Sequence, residues 1–452
     1  MVPTTALPRS PGHPFYKALN ELLAEAGFDA YVEQLCEPLY EEGGRPSIPP
    51  GVFFRMLFIG YFEGIDSQRG IAWRCSDSLS LRSFLGLPPT QPAPDHSSLT
   101  VIRKRLHKEL IEQVFSFVLE LAFKKKLLKG KTVGVDATTL EANAAMKSIV
   151  RREGGDSWKQ YLTKLAKEAG IDDPTDADLR RFDRKRKGKK VSNDDWKSPS
   201  DPDARITKMK DGTTHLAYKA EHAVDLDSDI VIAAKIQPGD AADGETIKDT
   251  VVDAQGNLND ATKHECRIAE VAADKGYNKN ETLAWAAERG IRTYIPERED
   301  KHKRRWDDKP ASWRVACADN RRRTKRPKGR AMQKLRSEYV ERSFAHVCET
   351  GRGRRTWIRG LVEVSKRYLM QVAAHNLGVI MRELFGLGTP RGWASAANAL
   401  CAFTAALWTL LNHWRRSAIA FLRPTAAFTL NELRILSPRD SVAWVTVSST
   451  GC

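Results

Sequence analysis

Between residues 14 and 128 the apolar positions recur at helical spacing. VFFRMLFIGYFEGI is apolar on nearly every side, as a buried helix is. SQRGIAWRCSDSLSLRSFLGL carries apolar residues every three to four positions. After the Pro-rich break PPTQPAPDHSS, the run LTVIRKRLHKELIEQVFSFVLELAFKKKLL reads as one long helix. Asp95, Ser97 or Ser98 can cap its start, and Lys124, Lys125 and Lys126 suit the negative end of its dipole. The pattern predicts an all-α domain over 14–128.

At Thr132 the period changes. TVGVDATTLEA reads as a β-branched strand followed by a polar break, so that Asp136 closes the apolar run VGVD. From about 146 to 213 the chain is charged and punctuated by Gly, Asp and Pro, with one short helical piece around Trp158–Ala169. That segment is expected to be a partly disordered insertion. HLAYKAEHAVD and DIVIAAKIQ are two further strands joined at the turn-like Leu226–Asp229. Then come a helix after Gly244, strand IAEVAAD, helix NETLAWAAERG, strand IRTYIPE and a helix over about Met332–Glu349. Antiparallel strands followed by strand–helix alternation predict a mixed α/β sheet over 129–385. Residues 386–452 form a tail that carries no interpretable motif.

Charge narrows the partner. The net charge is +16, and it is clustered. Residues 301–336 hold fifteen Lys or Arg against three Asp, and 180–190 hold eight against one. Cations that avoid their counter-charges favour a polyanion, since phosphate neutralisation releases condensed counterions. Arg184, Lys185, Arg304, Arg305, Arg321, Arg322 and Arg323 are candidate phosphate contacts. Arg103 and Arg105, just past a helix cap, can enter a groove or simply face solvent. The seven cysteines have no zinc or disulfide-framework spacing. The first residues lack a basic segment leading into an apolar core, so no signal peptide is expected. The Ala-rich stretch Ala394–Leu411 is broken by Ser, Asn and Thr and reads as a packed or surface helix rather than a membrane span. A cytoplasmic protein acting at the nucleoid is expected.

Three acids stand out by position. Asp136 and Asp274 each end an apolar strand, and acids at strand ends of an open α/β sheet lie at the rim where ligands bind. Glu341 lies in EYVERSFAHV beside an apolar stripe of Val340, Phe344 and Val347. Such carboxylates repel one another unless a cation lies between them. Oxygen donors without His or Cys suit Mg²⁺ or Mn²⁺. Two such ions about 3.5–4 Å apart would serve phosphoryl transfer. Taken singly, an Asp at a strand end is usually a turn former and a helical Glu a solvated face.

The segments VGVDATTLEANA, VAADKGYNKNETL and EYVERSFAHV resemble, in order and context, the catalytic region of bacterial insertion-sequence transposases of the DDE type. They are most similar to the group numbered eleven eighty-two. The resemblance implies an RNase H-like catalytic domain in which Asp136, Asp274 and Glu341 hold the metal ions and catalyse strand cleavage and transfer. It further implies an N-terminal DNA-binding domain, double-stranded DNA as partner (the element's terminal inverted repeats and a target), and a homodimer assembled on DNA. A catalytically inactive DNA-binding derivative, or an RNase H-like nuclease that cuts without joining, are the alternatives. The chain departs from the family where a Lys usually follows the catalytic Glu. Position 348 is Cys, and the nearest basic residues are Arg352, Arg354 and Arg355. Arg336 and Arg342 are the candidates for an Arg that some members carry just before the Glu. Asp243, at the family's His-Asp turn, is read as a cap for the helix after Gly244, with DNA contact as the alternative.

Overall fold

The computed structural model describes residues 12–40, 47–185, 192–209, 212–298 and 306–393. The chain divides into two units, 1–394 and 395–452, of which the second lies outside the described residues. The helix expected at Ala394–Leu411 therefore falls outside them too.

Among the described residues α-helices come first: α1 (Pro14–Glu25), α2 (Phe28–Cys36), α3 (Pro50–Glu63), α4 (Gln68–Asp77), α5 (Leu79–Phe84), α6 (His96–Arg105) and α7 (Lys108–Lys124). Helix α3 is buried along nearly its whole length, as its all-round apolar sequence requires. Its single cation, Arg55, is buried but satisfied. It makes two bonds to Asp29 (2.9 and 2.7 Å), one to Asn20 Oδ1 (2.7 Å) and one to the Phe84 carbonyl (3.1 Å). The long helix expected after the Pro-rich break is in fact two. Leu106 and His107 are extended, and the carbonyls of Arg103 and Leu106 accept from Lys366 Nζ at 2.9 and 3.0 Å. A lysine ammonium from a distant part of the chain thus satisfies carbonyls at the helix end.

The sheet follows. Strand β1 (Thr132–Glu141) runs antiparallel to a longer partner, β5 (Thr214–Asp225), and parallel to β7 (Glu270–Ala273). Parallel to β7 on its far side lies β8 (Arg292–Tyr294). The other edge of β5 is covered by β4 (Arg205–Lys208) and then by β6 (Val231–Pro238), both antiparallel. The mixed sheet and the β5–β6 hairpin at Leu226–Asp229 are as expected. Asp225 closes that hairpin, accepting from the backbone of Lys129, Gly130 and Asp227 and from Ser228 Oγ.

Three expectations need correcting. Asp136 does not end its strand: β1 continues to Glu141 because β5 pairs with it through Ala137–Glu141. Among its described residues, the segment from 146 to 213 holds more secondary structure than the one short helix expected there. It holds strands β2 (Val150–Arg151) and β3 (Trp196–Lys197) paired together, and helices α8 (Trp158–Glu168) and α9 (Asp176–Lys185). These helices bury a small core of Leu162, Ala166 and Leu179, too sparse to show as a period, and Arg151 lies over the rings of Tyr161 and Trp196. Helix α10 (Asp243–Thr262) has Ala242 as its N-cap with no side-chain cap bond. Asp243 instead pairs with Lys219 Nζ at 2.6 Å.

The remaining helices are α11 (Asn280–Glu288), α12 (Ala311–Lys325), α13 (Pro327–Phe344) and α14 (Leu361–Phe385). A π turn, Ala345–Thr350, continues α13. Helices α10 and α13 lie on opposite faces of the sheet: α10 bonds to Glu221 and α13 to His222, neighbours on β5 whose side chains alternate. Helix α14 joins the α13 side through Tyr368, and its Asn376 bonds both backbone groups of Val231, closing the outer edge of β6. Among the described residues no helix is long and apolar enough to cross a membrane.

Gly134 sets how closely α13 approaches β1. A Cβ there would lie 3.0 Å from Val340 Cγ2 and 3.2 Å from Arg336 Cγ of α13, and 2.7 Å from Leu226 Cδ2. Gly134→Val is expected to destabilise the fold by about 1–3 kcal/mol through overpacking. Urea denaturation checks this, and stability equal to wild type would show that α13 can retreat freely.

Candidate active site

The last registered pair between the parallel strands β1 and β7 is Val135 with Ala273. Asp136 and Asp274 are the next residues on each, so two carboxylates leave neighbouring strands at the same rung. Both are partly exposed. Strand β7 stops there and β1 goes on, which opens the rim beside them.

The Asp274 turn is anchored from below. Tyr277 N donates to the Asp274 carbonyl at 3.0 Å, and the buried Tyr277 hydroxyl donates to Glu221 Oε1 at 2.8 Å. Glu221, wholly buried on β5, also accepts from Thr246 Oγ1 (2.8 Å) and from Thr250 Oγ1, one turn apart on α10. Burial pushes the Glu221 carboxyl up, against the pull of the three hydroxyls and of Lys219. The Tyr277 phenol is raised far above its usual range, first by burial and then by the charges of Glu221, Asp243 and Asp136, so it remains a donor. Gly276 permits the close approach of Asp243: a Cβ there would stand 2.9 Å from Asp243 Oδ2.

Helix α13 crosses above the rung. Gln333 Nε2 donates to the Ala273 carbonyl at 3.2 Å and also to the Tyr294 carbonyl. Arg336 Nη1 donates to Asp136 Oδ2 at 2.6 Å, while the buried Arg336 Nε has no partner. Val340 packs over Gly134. Glu341 follows directly, exposed on the flank of the helix, its Oε1 accepting from Ser337 Oγ at 2.8 Å. The carboxylate oxygens suit a hard divalent ion, and the Arg336 guanidinium puts positive charge on Asp136 where such an ion would put it. The expected closed cluster is not formed: among the described residues no three His, Cys, Asp or Glu side chains stand together closely enough to hold a metal.

The basic candidates have diverse settings. Arg103 is turned inward onto Glu363. Arg321 makes two bonds to Glu297 (2.7 and 2.9 Å), and Arg322 pairs with Asp319 at 3.4 Å. Arg323 donates to the Thr293 carbonyl at 3.1 Å, and Arg342 pairs with the buried Asp229 at 3.1 Å. Arg184 and Lys185 are exposed at the end of α9. Arg105 is exposed with its guanidinium over the Tyr40 ring, and Arg352 is exposed in a left-handed turn. Arg304 and Arg305 lie outside the described residues. In the sequence Arg354 is only one of the basic residues nearest position 348. It reaches Thr138 Oγ1 at 2.9 Å, two residues beyond Asp136 on the same side of β1. Only the chain's return after the π turn brings it there.

Residues 167–377 match the family model described as Transposase DDE domain, and residues 6–105 match the one described as Transposase domain (DUF772). No curated protein and no solved structure matches. The DDE match begins after β1, so it takes in Asp274 and Glu341 but not Asp136. DDE domains are RNase H-like and in general depend on divalent metal, in keeping with the mixed sheet seen here.

Glu221 gives this region a pH signature. Its folded pKa lies above its ordinary value near 4.5. Its contribution to stability is therefore greatest below pH 4.5 and declines as pH rises through the folded value. Glu221→Gln removes that decline while keeping an acceptor for the hydroxyls. Its stability relative to wild type is expected to improve from pH 4.5 upward, read from urea unfolding at a series of pH values. A constant difference between the two proteins would refute the assignment.

Proposed function

Because the chain is a DNA transposase of the DDE type, we propose that Asp136, Asp274 and Glu341 are its catalytic and metal-holding carboxylates. One observation carries this reading: Asp136 and Asp274 follow the last registered pair of two adjacent parallel strands. The substrate is double-stranded DNA, at the ends of the element and at a target, and the protein works as a homodimer on that DNA at the nucleoid. The metal is Mg²⁺ or Mn²⁺, two ions per site. Bound, they supply Lewis-acid activation of the attacking oxygen and stabilise the leaving oxygen.

The residues make distinct contributions. Asp136 and Asp274 are fixed by strand register, and the Tyr277–Glu221 bond holds the turn after Asp274. Glu341, whose present partner is Ser337 Oγ, would complete the donor set. Arg336 neutralises Asp136 and would be displaced from it, or share it, when a cation binds. Arg354, held at Thr138, flanks the same rim. Exposed Arg105, Arg184, Lys185 and Arg352 contact phosphate directly. Arg103, Arg321, Arg322, Arg323 and Arg342 contribute by exchanging their present carboxylate or carbonyl partners for phosphate.

Asp136→Asn, Asp274→Asn and Glu341→Gln are each expected to bind element-end DNA normally. Each should lose Mg²⁺-dependent nicking by more than about a hundredfold, beyond what a supporting residue usually costs. Wild-type nicking in any one of them removes that residue from the site. Nicked ends without joined products in a strand-transfer assay would point to a nuclease, and no nicking by the wild type to an inactive derivative. Neutralising Arg105, Arg184, Lys185 or Arg352 should each reduce the slope of log K against log salt by about 0.9. An unchanged slope identifies a residue that only faces solvent.

A further inference from the structure

His222 has no role in the reading above, yet it lies directly opposite Asp136 in the β1–β5 ladder. It is wholly buried on the side of the sheet that α13 covers. Both ring nitrogens are bonded: Nδ1 to Ser343 Oγ at 2.8 Å, and Nε2 to Tyr368 OH at 2.9 Å. Ser343 has one proton, which it donates to the Val340 carbonyl at 2.8 Å. Nδ1 must therefore carry the ring proton and donate to Ser343, and Nε2 must accept from Tyr368. Burial keeps the ring neutral, with its pKa pushed down to about 3. Cys348 Sγ stands 3.9 Å behind the Tyr368 hydroxyl. The ring also stacks on Phe344 at a centroid distance of 4.1 Å and an angle of 20°.

Every bond in this chain has a direction, and it ends on the backbone of α13 one residue before Glu341. It begins on α14 and passes through the strand that pairs with Asp136. The helix changes to a π turn immediately afterwards, at Ala345. Such turns alter helix register and are frequent at functional sites. Met332 packs with Leu226, Ala272 and Tyr294, and Lys328 and Arg342 pair with Glu270 and Asp229, while the His222 chain is a directional tie that reaches the helix backbone beside Glu341.

We propose that His222 is a positioning residue that sets the distance between Glu341 and Asp136 through the Tyr368–His222–Ser343–Val340 hydrogen-bond chain. The proposal rests on the reading that these two carboxylates share bound ions. Hydrogen-bonded supports of metal ligands typically change metal affinity or activity by about 10–100-fold when removed.

The test measures Mn²⁺ affinity of the full chain by electron paramagnetic resonance, beside DNA nicking kinetics and thermal unfolding. His222→Phe keeps the ring and its stacking but removes both hydrogen bonds. Ser343→Ala cuts the same link from α13 should the buried Phe not be accepted. Both are expected to weaken Mn²⁺ binding on the order of tenfold and to lower kcat, with KM for DNA unchanged. His222→Asn, whose Nδ2 can stand where Nδ1 does, should recover most of both. Wild-type Mn²⁺ affinity and kcat in His222→Phe and Ser343→Ala, with Glu341→Gln weakened, overturns the positioning role and leaves the site intact. Wild-type Mn²⁺ affinity in Glu341→Gln overturns the carboxylate site itself and the positioning role with it. Loss of activity that tracks thermal stability alone across the series also overturns the proposal.

Discussion

The close approach of α13 to β1 over Gly134 is the constraint from which the candidate site follows. A strand can present a carboxylate at a sheet rim, but a helix brings a third one only if its axis lies near the sheet. Any side chain at position 134 would run into Val340 and Arg336. Close contact places Arg336 on Asp136 and Gln333 on the end of β7. Glu341 lies on the exposed flank of the same helix.

Strand β5 bears the cost of this arrangement. Lys219, Glu221, His222 and Asp225 are all buried within it, where unpaired polar groups would be strongly unfavourable. Each is satisfied by a different neighbour: Lys219 by Asp243, Glu221 by three hydroxyls, His222 by Ser343 and Tyr368, and Asp225 by backbone N–H groups and Ser228. A central strand of aliphatic residues would pack as well but would fix no helix in register. Polar groups with direction tie α10 and the Asp274 turn to one face and α13 and α14 to the other. The layers carrying the site residues are thereby held in one relative position.

The clustered positive charge has a similarly divided fate. Within 306–336, Arg321, Arg322, Arg323, Lys328 and Arg336 are held by acids or carbonyls, so a high count of basic residues does not amount to a free cationic surface. The exposed cations of α9 and of the segment after the π turn are the less encumbered ones. Charge counting along a chain registers abundance, while binding is most direct for cations with no competing internal partner.

Much was legible in the sequence because it depends on near neighbours. The buried α3, the β5–β6 hairpin, the helix and strand alternation after Gly244 and the short motifs around Asp136, Asp274 and Glu341 all show in local period and context. Tertiary structure decided the rest. Leu106 breaks a helix because Lys366, 260 residues away, takes its carbonyl. Strand β1 outruns its apolar segment because β5 is long enough to pair with it. Asp243 serves Lys219 rather than its own helix, and no periodicity marks α14, buried on every side. The site divides in the same way. Sequence could name the three carboxylates, but only the fold showed that two share a rung while the third still bonds to Ser337. Register, helix approach and side-chain partner choice are set by contacts between residues far apart in the chain, and these leave no local pattern.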